Sequence, residues 1–124
     1  MCLDDLPFHT TTETVGDAVV LHVAGEVDRA TADELSGCLS DAVGAVDPPA
    51  PVVVDLTGVT FLGACGIGLL LDHQDLCLRR GTALIVVAGT PAVLRPLRAL
   101  ELTSVLGVRS TVVEALVPVV SELS

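Results

Sequence analysis

The sequence predicts an α/β fold in which a mixed, mostly parallel sheet of four to five strands is covered by about four helices. Three observations lead to this prediction. Apolar residues make up 51% of the chain, strand-like runs alternate with single amphipathic stretches, and the most β-branched run, residues 52–56, is followed at Gly66 by a helical pattern. Continuous apolar strands are typical of parallel sheets covered on both faces, and single helices between strands imply right-handed crossovers. The predicted order is β-β-α-β-α-β-α-β-α.

The first part of the chain predicts two strands and a helix after a frayed terminus at residues 1–7. Residues 8–13 are rich in threonine and predict an edge strand, and residues 18–25 predict a second strand after a turn at Gly16-Asp17. Thr31 and Glu34 have the spacing of a capping box, which predicts that Thr31 caps the first helix.

The central part predicts the strand at residues 52–56, a turn-rich loop, and a helix from Gly66 to about Arg80. The helical spacing predicts an inner stripe and a water-facing side. The predicted inner residues are Ile67, Leu70, Leu71 and Leu78, and the predicted outer residues are Asp72, His73 and Asp75.

The last part predicts two more strands and two more helices. Residues 83–88 predict a buried strand, Thr90-Pro91 predicts a capped helix that ends at about Leu100, and residues 103–108 predict a last strand. Ser110 is the predicted cap of a terminal helix. The apolar stripe predicted for that helix consists of Val112, Val113, Leu116, Val117 and Val120.

Length and charge limit the classes of partner. A chain of 124 residues predicts one domain over residues 1–124. The formal charge of −10 argues against nucleic acid and anionic membrane surfaces, and weakly favours a basic protein partner. The apolar runs are too short to cross a membrane, and the first residues lack a basic region typical of a secretory signal. We therefore expect a cytoplasmic protein.

The sequence contains no recognisable catalytic or metal-binding motif. Four cysteines are scattered without a CxxC pair, which argues against a disulfide framework or a zinc site. His9, His22 and His73 have no partner at useful sequence spacing, and a phosphate-cradling glycine-rich motif is absent. We predict that the protein is not an enzyme and uses no cofactor.

Four segments, taken together, resemble a known family. They are residues 20–28 with Thr31-Ala32, residues 53–62, residues 66–70 and residues 91–94. At these spacings they resemble the STAS domain (sulfate transporter and anti-sigma factor antagonist) over about residues 8–117. Residues 53–62 are the most specific of the four segments. The resemblance implies a STAS-like single domain.

The resemblance also implies a function. Stand-alone bacterial members of the family bind an anti-sigma factor of serine kinase type and thereby release a sigma factor. The kinase phosphorylates a serine in an Asp-Ser-Ser-Gly motif, and the complex dissociates. Here the four positions read Gly63-Ala64-Cys65-Gly66. By resemblance, Cys65 occupies the acceptor position, and Asp28, Gly63, Ala64, Cys65 and Gly66 belong to the partner-binding face.

Several alternatives follow from the departure at Cys65. Since a serine kinase cannot modify a thiol in this way, the chain is held in the binding-competent state or is regulated elsewhere, for which Thr57 and Thr60 are nearby hydroxyls. A thiol at a helix amino terminus is also a candidate redox sensor. The alternative is that Cys65 is a neutral replacement of the acceptor serine by another small residue. Asp28 is either a partner contact or a helix cap.

The alternative function is a non-switching STAS scaffold or an accessory subunit of a transport or signalling assembly. For the oligomeric state, the sequence is compatible with a monomer and with a weak dimer.

Overall fold

The computed structural model describes the backbone of residues 8–121 and the side chains of residues 8–116. Eight elements follow one another in these residues. They are β1 (His9–Val15), β2 (Ala18–Val27), α1 (Arg29–Ala45), β3 (Val52–Leu62), α2 (Ala64–Arg79), β4 (Leu84–Val87), α3 (Pro91–Ala99) and α4 (Val112–Ser121). The predictions of a frayed terminus at residues 1–7 and of inward positions for Val117 and Val120 lie outside this description.

The strands form one mixed sheet in the order β1-β2-β3-β4. The edge strand β1 is antiparallel to β2, whereas β2, β3 and β4 are parallel to one another. This arrangement confirms the predicted α/β class and the antiparallel edge strand. The carboxyl ends of β2 and β3 meet at one edge of the sheet, which is the position where loops of open α/β sheets commonly carry function.

Alternation along the strands buries both faces of the sheet. One set of side chains in β2, β3 and β4 packs with α1, α2 and α3 in the main core. The residues between them, Val20, Val53 and Val87, form a second cluster under Ala115 of α4. Ala115 is buried in α4, whereas Val113 is 74% exposed, so the predicted stripe was wrong at Val113.

The predicted fifth strand was wrong within the described residues. Residues 103–107 form turns, and only an isolated bridge joins Arg109 to Val87 at the edge of β4. Gly107 has a positive φ of 57°, which a strand does not contain. The amide of Val108 donates to Thr103 O, so these backbone groups close a turn instead of a ladder.

Strand β3 is longer than predicted, since residues 57–62 continue it where the sequence predicted a loop. The register shifts between His22 and Ala24 and between Gly25 and Glu26 each place one extra residue in β3, and the longer β3 stays paired with β2 as far as Leu62. The turn-like composition of residues 57–60 reflects this irregular pairing. The extension carries β3 seven residues beyond Asp55, the last residue that pairs with β4.

Helix α2 buries Ile67 and Leu70 as predicted, but two other positions of the predicted pattern differ. His73 is buried and Leu78 is 62% exposed, so both predictions were wrong. His73 Nδ1 donates to the carbonyl of Leu69 at 2.7 Å, and its Nε2 lies 3.1 Å from the hydroxyl of Ser40 in α1. These bonds satisfy the polar ring between two helices, whereas Leu78 lies on the outer side of α2.

The predicted helix caps are confirmed in part. Thr90 is the N-cap residue of α3 and Pro91 follows it, as predicted, but Thr90 Oγ1 makes no cap bond and has no hydrogen-bond partner among the described residues. The amide of Glu114 donates to the hydroxyl of Thr111 at 3.1 Å, so Thr111, not Ser110, caps α4.

Candidate functional site

The loops after β2 and β3 leave the sheet side by side. The paired residues Val27 and Leu62 end the two strands, and the amide of Gly63 donates to the carbonyl of Val27 at 2.9 Å. This bond brings the start of α1, at Asp28, next to the start of α2, at Gly63. The fold therefore assembles one surface from segments 35 residues apart (63 minus 28).

Asp28 caps α1. One of its carboxylate oxygens accepts from the amides of Ala30 at 2.9 Å and Thr31 at 3.2 Å, while the hydroxyl of Thr31 accepts from the amide of Asp28. The capping box is therefore Asp28 with Thr31, and the predicted pair of Thr31 with Glu34 was wrong. Strand β2 extends to Val27, so the helix begins three residues before the predicted cap would allow. The cap leaves Asp28 partly exposed.

The predicted loop of Gly63, Ala64, Cys65 and Gly66 forms the first turn of α2. The carbonyl of Gly63 accepts from the amides of Gly66 and Ile67, and the cap position supplies no side-chain bond. Ala64 is exposed and Cys65 is partly exposed at this turn. The sulfur-bearing residue thus lies at the protein surface and not in the core.

Gly66 has a packing role in this turn. It is buried, and a Cβ at this position would lie 2.5 Å from Cγ1 of Val27 and 2.9 Å from Cδ1 of Leu62. Both distances are shorter than real Cβ contacts, so α2 approaches the ends of β2 and β3 only because the residue is glycine. Ala64 and Cys65, rather than Gly66, are accessible to another molecule.

A cavity of about 290 Å³ opens beside this turn. Its walls are Asp28, Arg29, Phe61, Gly63, Ala64 and Cys65. It brings together four of the five residues that the sequence predicted to face a partner. The cavity lies between the amino ends of α1 and α2, so its polar and apolar walls come from both segments.

Phe61 and Arg29 are two residues of this surface that sequence reasoning missed. Phe61 is 49% exposed, which is unusual for one of only two aromatic residues in the chain. A Cβ at Gly63 would lie 3.2 Å from Cε2 of Phe61, so the glycine leaves room for the ring beside the loop. The signal that could have found Phe61 is its place at the carboxyl end of the central strand.

Thr57 and Thr60 lie before the loop on β3, and both are exposed. The amide of Thr57 donates to Asp55, and the hydroxyl of Thr60 donates to the carbonyl of Gly25 at 3.4 Å. Thr57 and Thr60 do not line the cavity beside Cys65.

His22 has two acidic partners that its sequence spacing did not reveal. Its Nε2 lies 2.8 Å from Oε1 of Glu13, and its Nδ1 lies 2.7 Å from Oδ2 of Asp55. An ionised carboxylate only accepts hydrogen bonds, so this geometry suits a ring protonated at both nitrogens. The hydrogen bond that His22 donates to Glu13 raises the pKa of His22; burial opposes this, and Asp55 adds to it. Through these two contacts, the His22 side chain of β2 links β2 to both β1 and β3.

Asp55 has a lowered pKa. Burial by itself raises the pKa of this carboxyl, but hydrogen bonds from Thr57 and His22 outweigh burial. Asp55 lies within β3, although the sequence predicted it at the end of the strand.

Residues 8–121 contain no group of three or more histidine, cysteine or acidic side chains that could hold a metal ion. Cys38, Cys65 and Cys77 are free, and burial raises the pKa of Cys77 to about 11. Arg29 lines the same cavity as Cys65, although no basic residue is near Cys65 in the sequence.

No described helix has the length and apolarity required to cross a bilayer.

The fold and this surface define the class of protein. A model of the STAS domain family matches residues 9–115. The chain belongs to the STAS domain family.

Particular relatives share most of the chain. The anti-sigma-F factor antagonist RsfA of Mycobacterium tuberculosis is 34% identical over 99 residues, which are 80% of this chain and 77% of RsfA. The anti-sigma-F factor antagonist RsfB of the same organism is 32% identical over 108 residues, covering 85% of this chain and 86% of RsfB. The crystal structure of an anti-sigma factor antagonist from Mycobacterium paratuberculosis superposes with a TM-score of 0.82 at 30% identity, covering 95% of this chain and 97% of that one.

Proposed function

We propose that this protein is a cytoplasmic anti-sigma factor antagonist that binds an anti-sigma factor of serine kinase type and so releases a sigma factor. Its membership of the STAS domain family and its likeness to RsfA and RsfB support this role. The observation that carries the proposal is the surface turn of Ala64 and Cys65, which opens on a cavity between the starts of two helices. A partner can reach this turn.

The partner-binding surface in this proposal consists of Asp28, Arg29, Phe61, Gly63, Ala64 and Cys65. Phe61, which is 49% exposed, provides an aromatic contact, since aromatic side chains, phenylalanine included, are enriched at protein interfaces. Asp28 provides charge at the rim while its carboxylate caps α1.

The acceptor position is Cys65, so the protein stays in its binding-competent state in the presence of the kinase. A phosphate on a serine here would stand at the amino terminus of α2, where negative charge does not disturb the helix. Its effect would fall on the partner, through bulk, desolvation and added charge of about −2. The thiol of Cys65 does not accept this modification from a serine kinase.

Phosphorylation is the first test. The purified protein is incubated with ATP and the kinase-type anti-sigma factors of the same organism, and phosphate is mapped by mass spectrometry. We expect a stable complex without phosphate on residues 57–65. The double variant Ala64→Ser/Cys65→Ser is expected to bind, to gain phosphate at residue 65 and then to dissociate. Phosphate on residues 57–65 of the unaltered protein would contradict the fixed state.

A third substitution tests what residue 63 adds to the serine acceptor at position 65. Gly63→Asp, added to the double variant, restores the family residue and a cap for α2, but its Cβ meets the ring of Phe61 and the carbonyl of Val27 at 3.2 and 3.3 Å. We therefore expect the double variant to be the better folded substrate.

Binding is tested with matched variants. Phe61→Ala is expected to weaken the complex by about tenfold or more, whereas Val113→Ala, which alters an exposed valine on α4, leaves it unchanged. Asp28→Asn keeps a capping side chain and removes the charge, so a loss of affinity in this variant assigns Asp28 to the interface and not only to the cap. Capture of a transport or signalling ATPase subunit in place of an anti-sigma factor would favour the scaffold alternative.

A further inference from the structure

A second cavity, of about 350 Å³, lies beyond the end of β4. It is enclosed by Gly89 after β4, by Leu94 and Arg98 on α3, and by the segment from Val108 to Ser110 that leads into α4. It shares no lining residue with the cavity beside Cys65. Its size is that of a site for a small molecule.

Two guanidinium groups line this cavity, and within residues 8–116 neither forms an ion pair with a carboxylate. The chain has 16 acidic and six basic residues, and within residues 8–116 the arginine ion pair that the side chains form is Arg79 with Asp75. Arg98 has no ion pair among these residues, and Arg109 donates only to the carbonyl of Val108 at 3.2 Å. A strongly acidic chain thus leaves two positive charges at one concave surface.

The amino terminus of α4 does not add to the positive charge of this cavity. The amide of Ser110 donates to Oε2 of Glu114 at 3.1 Å, and the hydroxyl of Thr111 accepts from the amide of Glu114. The carboxylate of Glu114 therefore already satisfies a helix-start amide, so the positive charge available in the cavity comes from the two arginines. Planar guanidinium groups suit oxyanions, with which they form paired, charge-assisted hydrogen bonds.

We propose that this cavity is a binding site for a small molecule that carries a phosphate or carboxylate group. Arg98 and Arg109 bind the oxyanion, the hydroxyl groups of Thr103 and Ser110 add hydrogen bonds, and Leu94 and Val108 contact the apolar part of the ligand. The site is distinct from the surface at Cys65. The small molecule can therefore bind to it in the absence of the partner protein.

The test is a titration of the isotopically labelled protein at constant ionic strength, followed by amide NMR. Inorganic phosphate and malonate are the two probes, and they distinguish a phosphate site from a carboxylate site. We expect saturable shifts of the Gly89, Arg109 and Ser110 amides with at least one probe. Arg98→Gln and Arg109→Gln are expected to weaken this binding by about tenfold each.

Arg95→Gln is the matched control, because Arg95 is exposed on the same helix as Arg98 and does not line the cavity. It removes the same charge and is expected to leave the affinity unchanged. Shifts that never saturate with either probe, or an equal loss of affinity in Arg95→Gln, would overturn the proposal, since both results indicate unspecific attraction of anions.

Discussion

Single residues decide how closely the elements of this protein approach one another. Gly66 is the clearest case, because its missing side chain lets α2 begin directly against Val27 and Leu62. Gly63 has a related role at the surface, where it leaves room for the ring of Phe61. The turn that carries Cys65 is therefore shaped by two glycines of different function.

Gly66→Ala is expected to destabilise the protein by about 1–3 kcal/mol, since its Cβ would lie 2.5 Å from Val27 and force side chains or backbone to move. Chemical denaturation measures the free energy of unfolding. Gly68→Ala is the control in the same helix. Nothing lies within 4 Å of the added methyl group, so helix propensity predicts a gain of about 0.5–1 kcal/mol. Equal effects of the two substitutions would contradict the packing role of Gly66.

At the scale of elements, the strands are joined by more than their backbone ladder. β1 is almost fully exposed along its length, and the described ion pairs that join it to the rest of the sheet pass through His22. The ring connects Glu13 of β1 with Asp55 of β3 across β2. We therefore expect the attachment of the edge strand to depend on the charge of one histidine.

The free energy of unfolding is expected to fall as the pH rises from about 5.5 to about 8.5. The pKa of His22 is raised above 6.5 in the folded state, so its contribution is complete below that value and is lost as the pH passes the folded pKa. Exposure of the side chains limits the effect to about 0.2–1 kcal/mol.

The measurement is denaturation at both pH values for the protein and for His22→Gln. The variant lacks the titrating group, and its stability is expected to change less over this range. The lowered pKa of Asp55 acts at the acidic end, where its contribution is lost as the pH falls below about 3.8. An unaltered pH dependence in His22→Gln would exclude His22 as the cause.

In the molecule as a whole, helices pack on both faces of the sheet, and one face is covered by more helices than the other. Helices α1, α2 and α3 share the main core, whereas in the described residues α4 alone covers Val20, Val53 and Val87. The smaller cover depends on Ala115, which is 1% exposed. Release of α4 would expose this apolar face.

Ala115→Asp is expected to lower the free energy of unfolding by at least about 2 kcal/mol, because it buries an unpaired charge against three valines. Hydrogen exchange of residues 112–121 and binding of an apolar dye report the release of α4. Val113→Asp introduces the same charge at a position that is 74% exposed and is expected to be tolerated. Comparable loss of stability in both variants would argue against α4 as a specific cover.

Local periodicity was enough to establish the α/β class, the succession of strands and helices as far as α3, and the apolar alternation of the central strands. The sequence also singled out Gly63, Ala64 and Cys65 through their place after the central strand. Local periodicity could not predict the length of β3, since the strand continues through an irregular pairing with β2 in which β3 carries two extra residues.

Which residues share a surface became clear from the folded structure. It joined Asp28 and Arg29 to Cys65 and Phe61, surrounded His22 with acids from two other strands, and replaced the expected fifth strand by turns. The physical reason is that side-chain contacts, charge pairing and burial arise between segments distant in sequence, where the spacing of residues along the chain carries no information about distance.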